Sequence, residues 1–290
     1  PVDGEQGRNV VLVAVADPEI TPVVIPAGPA QRPEDPIHLR VTNHKAGVGA
    51  VQRHPLPRLS PDGPGDAALD KVVPQPVLVP VLFGGSWGST LALAYYVKFP
   101  KLVRGLILRG IFLSRAFELD WFLKEVAIFF PLKYQKLLDF HHSINKESLV
   151  ADYSRLVFGQ DQNIAGKAAH AWNSFEGSIL KLTYENNDDD QPEINYDDEL
   201  ARARVQLHYI KHHCFVNGDE ILNQLQSLKK IPTVIVQGQY DMVCPPQTAF
   251  DLHQALPHAE FHLIADAGHS ASETGITDAL IKATKAFKKI

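Results

Sequence analysis

An apolar run, Val77 to Phe83, leads straight into Gly84-Gly85-Ser86-Trp87-Gly88-Ser89, and a helical stretch from Thr90 to Phe99 follows before Pro100 stops it. This strand, glycine-rich turn and helix recur in outline through the rest of the chain. Leu102 to Leu108 reads as a second buried strand. Pro232 to Gln237 and Glu260 to Ile264 are again strand-like, with a helix expected from Gln247 to Leu256 between them and a last helix over Ile276 to Phe287. Strands separated by helices imply a parallel sheet with helices on its faces. The expected fold class is therefore α/β with a mostly parallel sheet. Residues 118–230 break the alternation with helical periodicity, as in Leu119-Asp120-Trp121-Phe122-Leu123-Lys124-Glu125-Val126, interrupted by an acidic loop from Glu185 to Glu199. A helical insert of that length between the second and third strands is expected to form a lid. No internal repeat is present.

The first 82 residues do not share this pattern. They contain no Phe, Tyr or Trp, although the chain has 14, 8 and 3 of these, and they hold 14 of its 21 prolines. Aromatic side chains carry much of a core's burial energy, and proline is poorly tolerated inside helices and central strands. Short apolar runs (Asn9 to Ala16, Pro22 to Pro26, Ile37 to Val41) remain compatible with strands. The segment reads either as a flexible Pro-rich leader or as sequence foreign to the rest, such as a frame error produces. The motifs below favour the second reading, and the N-terminal part of the sheet stays open. The only Met is Met242.

Bulk properties exclude several classes. Lys and Arg number 28 against 33 Asp and Glu, a net charge of −5, so there is no basic footprint for nucleic acid. No stretch approaches the ~18 uninterrupted apolar residues of a membrane span. Pro1-Val2-Asp3-Gly4-Glu5 does not begin a secretory signal. Two cysteines, Cys214 and Cys244, are too few for a disulfide scaffold and fit a reducing compartment. A cytoplasmic protein is expected.

Gly84-x-Ser86-x-Gly88 lies between the first strand and its helix, the setting of a nucleophile elbow. Small residues must flank a serine in so tight a turn, which leaves the hydroxyl exposed. The helix N-terminus behind it, with the backbone N–H of Trp87, is suited to stabilise an oxyanion. Taken alone the motif also reads as a plain Gly-rich turn. A serine hydroxyl is a weak nucleophile without a positioned base, and the elbow calls for an acid and then a histidine later in the chain. Asp241 follows the strand Pro232 to Gln237, and His269 follows the strand Glu260 to Ile264. Both fall in strand-to-helix connections at the sheet edge expected for Ser86, where ligands collect in open α/β sheets. In that arrangement His269 takes and returns the serine proton, while Asp241 fixes its tautomer. Alone, His269 is one loop histidine among 13 and Asp241 a turn residue before Pro245-Pro246. Order, placement and spacing together make the triad.

These residues also carry a family resemblance. Gly84-Gly85-Ser86-Trp87-Gly88-Ser89-Thr90-Leu91-Ala92-Leu93-Ala94-Tyr95 resembles the nucleophile segment of the proline iminopeptidases, serine exopeptidases of the α/β-hydrolase fold. Leu108-Arg109-Gly110-Ile111-Phe112-Leu113 is similar to their next strand end. Gly238-Gln239-Tyr240-Asp241-Met242-Val243-Cys244-Pro245-Pro246 resembles their acid loop, and Asp266-Ala267-Gly268-His269-Ser270-Ala271-Ser272-Glu273 their histidine loop. The four blocks, in order, cover about residues 83–290. The resemblance implies release of N-terminal proline from peptides through an acyl-enzyme on Ser86, with no cofactor and no metal. It further implies a small hydrophobic pocket for the pyrrolidine ring, matching Phe112, Trp121 and Phe122, and a carboxylate for the free amine, matching Glu176 in Trp172-Asn173-Ser174-Phe175-Glu176. Arg109 matches an arginine at the pocket, expected to orient a carboxylate. A buried carboxylate partners an ammonium and rejects a blocked N-terminus by being left unpaired. Read without the resemblance, Trp121 and Phe122 are core at helical spacing and Glu176 is a solvated helix residue. Asp188-Asp189-Asp190 reads as an exposed loop with a minor role in attracting cationic substrates.

Three departures accompany the match. The family pattern Arg-Ile-Glu-x-His-Tyr is here Arg204-Val205-Gln206-Leu207-His208-Tyr209, so neutral Gln206 stands where a second amine-binding Glu is usual. Lys211 to Cys214 also differ. The third is the lack of a His-Gly-Gly-Pro segment upstream, which supplies the other oxyanion N–H. Asp62-Gly63-Pro64-Gly65 lies too close to Ser86, and Val23-Val24-Ile25-Pro26-Ala27-Gly28-Pro29 is a fainter echo at a better distance. Loss of one oxyanion donor costs roughly 10²–10³ in turnover. The Ser86 strand is expected inside the sheet, since a bare apolar edge templates aggregation. The expected organisation is residues 1–82 as the atypical segment, 83–117 with 231–290 as the core, and 118–230 as the lid. The leading expectation is a prolyl exopeptidase acting on peptides with a free N-terminal proline. A related esterase or amidase and a catalytically inactive fragment are the alternatives. Asp in place of Ser86 would have signalled an epoxide hydrolase or dehalogenase.

Overall fold

The computed structural model describes residues 79–139, 149–183 and 194–288. Strand β1 (Val81–Ser86) runs into helix α1 (Trp87–Lys98), and β2 (Gly105–Ile111) follows. Six helices come next: α2 (Ala116–Leu123), α3 (Pro131–Asp139), α4 (Leu149–Val157), α5 (Gln162–Gly177), α6 (Tyr196–Lys211) and α7 (Gly218–Leu225). The chain then returns to the sheet as β3 (Thr233–Gly238), α8 (Pro246–Ala255), β4 (Glu260–Ile264) and α9 (Thr274–Phe287). The four strands are all parallel, in the order β1-β2-β3-β4.

Side chains alternate across the sheet. Leu106, Leu108 and Ile235 face one way, into a core with Leu93 and Tyr96 of α1, Leu225 of α7 and Leu252 of α8. Ile107, Val234 and Val236 face the other, against Leu280 and Phe287 of α9. With both faces covered, the central strands read as near-continuous apolar runs rather than as alternation. That is why they were legible as strands. Strand β4 is only partly buried, as suits its place at the end of the order.

Two boundaries near the elbow differ from expectation. The first helix begins at Trp87 rather than Thr90, with no residue between strand and helix. The second strand spans Gly105–Ile111 rather than Leu102–Leu108, and Pro100–Leu102 is a 3₁₀ turn. Gly110 explains the extension. Its φ of 53° inserts one extra residue, so that Gly85 pairs with Arg109 but Ser86 pairs with Ile111. Such a bulge re-aims the strand without ending it, whereas in a sequence the glycine reads as a stop.

Helices α2–α6 build a core of their own, in which Phe122, Tyr134, Leu137, Tyr153, Trp172, Phe175 and Leu207 meet. Val243 and Cys244, from the turn after β3, belong to the same cluster and join it to the sheet's C-terminal edge. Two buried tyrosine hydroxyls are satisfied: Tyr134 donates to the Leu123 carbonyl (2.7 Å) and Tyr153 to that of Leu137 (2.8 Å). Asp161, Asn195 and Asn217 cap α5, α6 and α7 with their side chains. The acidic loop expected to reach Glu199 ends earlier. Asp197, Asp198 and Glu199 form the first turn of α6, where the Asn195 cap and the helix dipole favour them.

Among the described residues no helix is long and apolar enough to cross a membrane, and β1 pairs with β2 alone. The short apolar runs before residue 42, Val23–Pro29, Asp62–Gly65 and Asp188–Asp190 lie outside the described residues.

Candidate active site

Ser86 is the last residue of β1, with φ 54° and ψ −126°. Only glycine adopts that region freely, and a non-glycine residue held there stores roughly 1–3 kcal/mol. The turn tolerates no bulk: a Cβ on Gly84 would lie 2.2 Å from the Gly88 carbonyl oxygen, and one on Gly85 would lie 2.8–2.9 Å from the Arg109 guanidinium. Ser89 donates to the Ser86 carbonyl at 2.7 Å, and Thr90 donates to the Phe112 carbonyl at 2.6 Å. These two buried hydroxyls tie the elbow to the end of β2, since Ser89 Oγ also accepts from the Phe112 N–H at 3.1 Å. Trp87 is the first residue of α1, where a backbone N–H has no intrahelical partner. Its indole meets Tyr209 of α6 edge-on at 4.9 Å.

Asp241 and His269 form a buried pair, 2% and 3% exposed, with Nδ1 and Oδ2 2.7 Å apart. The backbone N–H groups of Val243 (3.0 Å) and Cys244 (2.7 Å) donate to Oδ1, and the Gln237 amide donates to Oδ2 (2.9 Å). The aspartate thus accepts on every side. The His269 backbone is equally held. Its N–H donates to the Leu180 carbonyl (2.8 Å), and its carbonyl accepts from Arg109 (2.9 Å). Glu273 accepts from Gly268 and from Leu182, each at 2.9 Å. The stretch after α5 is therefore pinned to the histidine loop. Gly110 completes the packing, since a Cβ there would lie 2.9 Å from His269 Cε1 and 3.4 Å from Asp241 Oδ2.

Ser86 Oγ lies 3.9 Å from Cys244 Sγ and makes no hydrogen bond to His269. Hydrogen bonds between catalytic groups are commonly long in the absence of substrate. Cys244 Sγ, Asp241 and His269 offer ligand atoms within 4.8 Å of one another, the metal-ligand spacing found among the described residues. The oxygens of Asp241 are already engaged by four N–H groups. Burial pushes the Cys244 thiol well above its ordinary value of 9.0, and the nearby Asp241 and Glu118 add to the rise. Cys244 was not among the expected site residues, although it lies in the block that resembles the acid loop.

The remaining expected residues divide. Gln206 and Glu176 come together, with Nε2 donating to Oε1 at 2.8 Å, while Gln206 Oε1 accepts from the Trp172 indole. Trp121 and Phe112 are partly buried against the helical core. The Trp121 indole donates to the Met242 carbonyl at 2.8 Å, beside the acid. Phe122, expected at the pyrrolidine ring, is instead a core residue, 8% exposed and packed on Trp172 and Phe175. Arg109, expected to orient a carboxylate at a pocket, is 4% exposed beneath Gly85 and holds the histidine-loop carbonyl. Its planar fork is used there as a brace.

A strained serine at a strand-to-helix turn, with a buried His–Asp pair at the same edge of a parallel sheet, is the arrangement of the nucleophile-elbow class. The chain belongs to the alpha/beta hydrolase fold family, whose model matches residues 79–276. It is 42% identical over 213 residues to "Probable proline iminopeptidase" of Leptolyngbya boryana, covering 71% of this chain and 64% of that protein. It is 38% identical over 208 residues to the proline iminopeptidase of Neisseria gonorrhoeae, covering 71% and 65%. The chain thus spans slightly less than two thirds of the length of these relatives. Among solved structures, an esterase from Exiguobacterium antarcticum aligns with a TM-score of 0.45 at 16% identity, over 73% of this chain and 67% of the other.

Proposed function

We propose that this chain is a serine exopeptidase that releases N-terminal proline from peptides, with Ser86, His269 and Asp241 as its triad. The observation that carries the reading is the 2.7 Å His269–Asp241 pair, buried at the sheet edge where β1 delivers Ser86. With Nδ1–H held by Asp241, Nε2 of His269 is the free base. It takes the Ser86 proton as Oγ attacks the prolyl carbonyl, and it returns that proton to the leaving amine. Water then hydrolyses the prolyl-enzyme by the same route. The Trp87 N–H receives the oxyanion. The similarity to proline iminopeptidases, at 38–42% identity, supports the choice of proline.

Helices within 118–230 act as the lid in this reading. Glu176 and Gln206 receive the substrate's ammonium, and Phe112 with Trp121 contacts its ring. A neutral Gln206 supplies a hydrogen bond but no charge, so Glu176 carries the electrostatic part of amine selection. The peptide substrate needs no cofactor or metal for this chemistry. A cytoplasmic setting fits Cys214 and Cys244, both unpaired and buried.

The test is hydrolysis of prolyl-aminomethylcoumarin by this chain, beside Ser86→Ala and an N-acylated control substrate. Release is expected from the free-amine substrate alone, and Ser86→Ala is expected to lower it by at least about 10⁴. Turnover of p-nitrophenyl acetate with none of the prolyl substrate would replace the peptidase by an esterase. No turnover of either substrate by a folded sample would leave an inactive member of the family.

A further inference from the structure

Gln237 is fully buried at the C-terminal end of β3, four residues before Asp241. Its amide has one possible orientation. Oε1 accepts the backbone N–H of Ile111 at 2.9 Å, a group that can only donate. Nε2 donates to Asp241 Oδ2 at 2.9 Å and to the Cys244 carbonyl at 3.0 Å, groups that here can only accept. A flipped amide would set donor against donor and acceptor against acceptor in a dry site.

The three partners belong to separate parts of the site. Ile111 is the residue that pairs with Ser86, immediately past the Gly110 bulge. Asp241 Oδ2 is the oxygen that meets His269 Nδ1. Cys244 closes the acid turn, and its thiol is the near neighbour of Ser86 Oγ. One side chain therefore spans from the strand partner of the nucleophile to the acid. The neighbouring contacts do not duplicate it, because Val243 and Cys244 N–H hold the other oxygen, Oδ1.

We infer that Gln237 is a positioning residue for the acid–base pair, holding Asp241 Oδ2 where it receives His269 Nδ1–H and fixing the acid relative to Ser86. The inference rests on the triad proposed above. It acts through Asp241, so its effect vanishes once that carboxylate is gone. An apolar residue of the same length would still fill the space, but Oδ2 would lose its second donor and the acid turn its tie to β2. A misplacement on the order of 1 Å costs about 10²-fold in rate.

The experiment is a double-mutant cycle read by the rate at which a fluorophosphonate labels Ser86, in the full chain. This probe needs the triad but no prolyl or amine recognition. Gln237→Met is expected to slow labelling by about 10- to 100-fold, and to lower kcat on the prolyl substrate with KM changed by less than about two-fold. In the Asp241→Asn background the same change is expected to add less than about two-fold. Should Gln237→Met fail to fold, Gln237→Glu keeps the length and the Ile111 acceptor while setting an oxygen against Oδ2, and the same slowing is expected. Equal slowing in the Asp241→Asn background would make the residue merely structural and overturn the inference, as would unchanged labelling in either folded variant. Labelling without prolyl hydrolysis would sink the peptidase reading and leave this inference standing. No labelling of the parent chain would remove the triad and the inference with it.

Discussion

Gly110→Ala is the sharpest test of how the site is held. Gly110 has φ +53°, and an L side chain in that region costs roughly 1–2 kcal/mol. The added Cβ would lie 2.9 Å from His269 Cε1 and 3.0 Å from Nδ1. Carbon contacts relax to about 3.5–4.0 Å, so the imidazole must retreat by about 0.5 Å or more. Asp241 offers no compliance, because its carboxylate accepts from Val243, Cys244, Gln237 and His269 together. The His269 backbone is held from both sides by Leu180 and Arg109. The ring must therefore tilt, moving Nε2 away from the attack line. If 1 Å costs about 10²-fold, half of that costs about ten-fold.

The assay is fluorophosphonate labelling of Ser86, with unfolding midpoints measured in parallel. Gly177→Ala is the matched control. It ends α5, a Cβ there meets nothing within 4 Å, and alanine improves helix propensity by up to about 1 kcal/mol. The control is expected to label at the parental rate. Gly110→Ala is expected to label about ten-fold more slowly and to unfold with about 1–2 kcal/mol less stability. Labelling within two-fold of the parent, in a folded Gly110→Ala protein, would refute the claim that this bulge positions the histidine.

Three further outcomes are expected. Gln206→Glu places a second carboxylate beside Glu176, so the free protein should melt lower while the substrate's ammonium relieves the repulsion, and KM for the prolyl substrate should fall; a raised KM would remove both residues from the amine site. Glu118, 1% exposed, accepts from the N–H groups of Leu113 and Arg115, from Arg115 Nε and from the Thr248 hydroxyl. Glu118→Gln turns one acceptor into a donor facing Arg115 and should cost about 1–3 kcal/mol in thermal denaturation, a cost that an unchanged melting temperature would exclude. Burial raises the Cys244 thiol above 9.0, so the unfolded chain releases its proton first as pH rises. The stability this burial contributes is whole below pH 9 and is lost above it. Cys244→Ala should therefore flatten the fall in melting temperature above about pH 9, and an equally steep fall would assign it to other groups.

Sequence by itself determined the class of fold. Strands buried on both faces are apolar almost throughout, so β1, β2 and β3 were visible as runs. Asp241 and His269 were expected beside Ser86 because each follows a strand end in the order an elbow calls for, and loops at one edge of a parallel sheet converge wherever they lie along the chain. What the tertiary structure decided is everything that depends on which groups face each other across that edge. Gly110 became a bulge only because Ser86 needed a partner one residue further on. Phe122 left the expected pocket for the helical core, and Arg109 became a brace for the histidine loop, since a helical or strand period names a face but not its neighbour. Gln237 carried no motif at all. Its meaning lies in three partners, drawn from Ile111, Asp241 and Cys244, and contacts over such separations are set by packing, which a linear pattern does not encode.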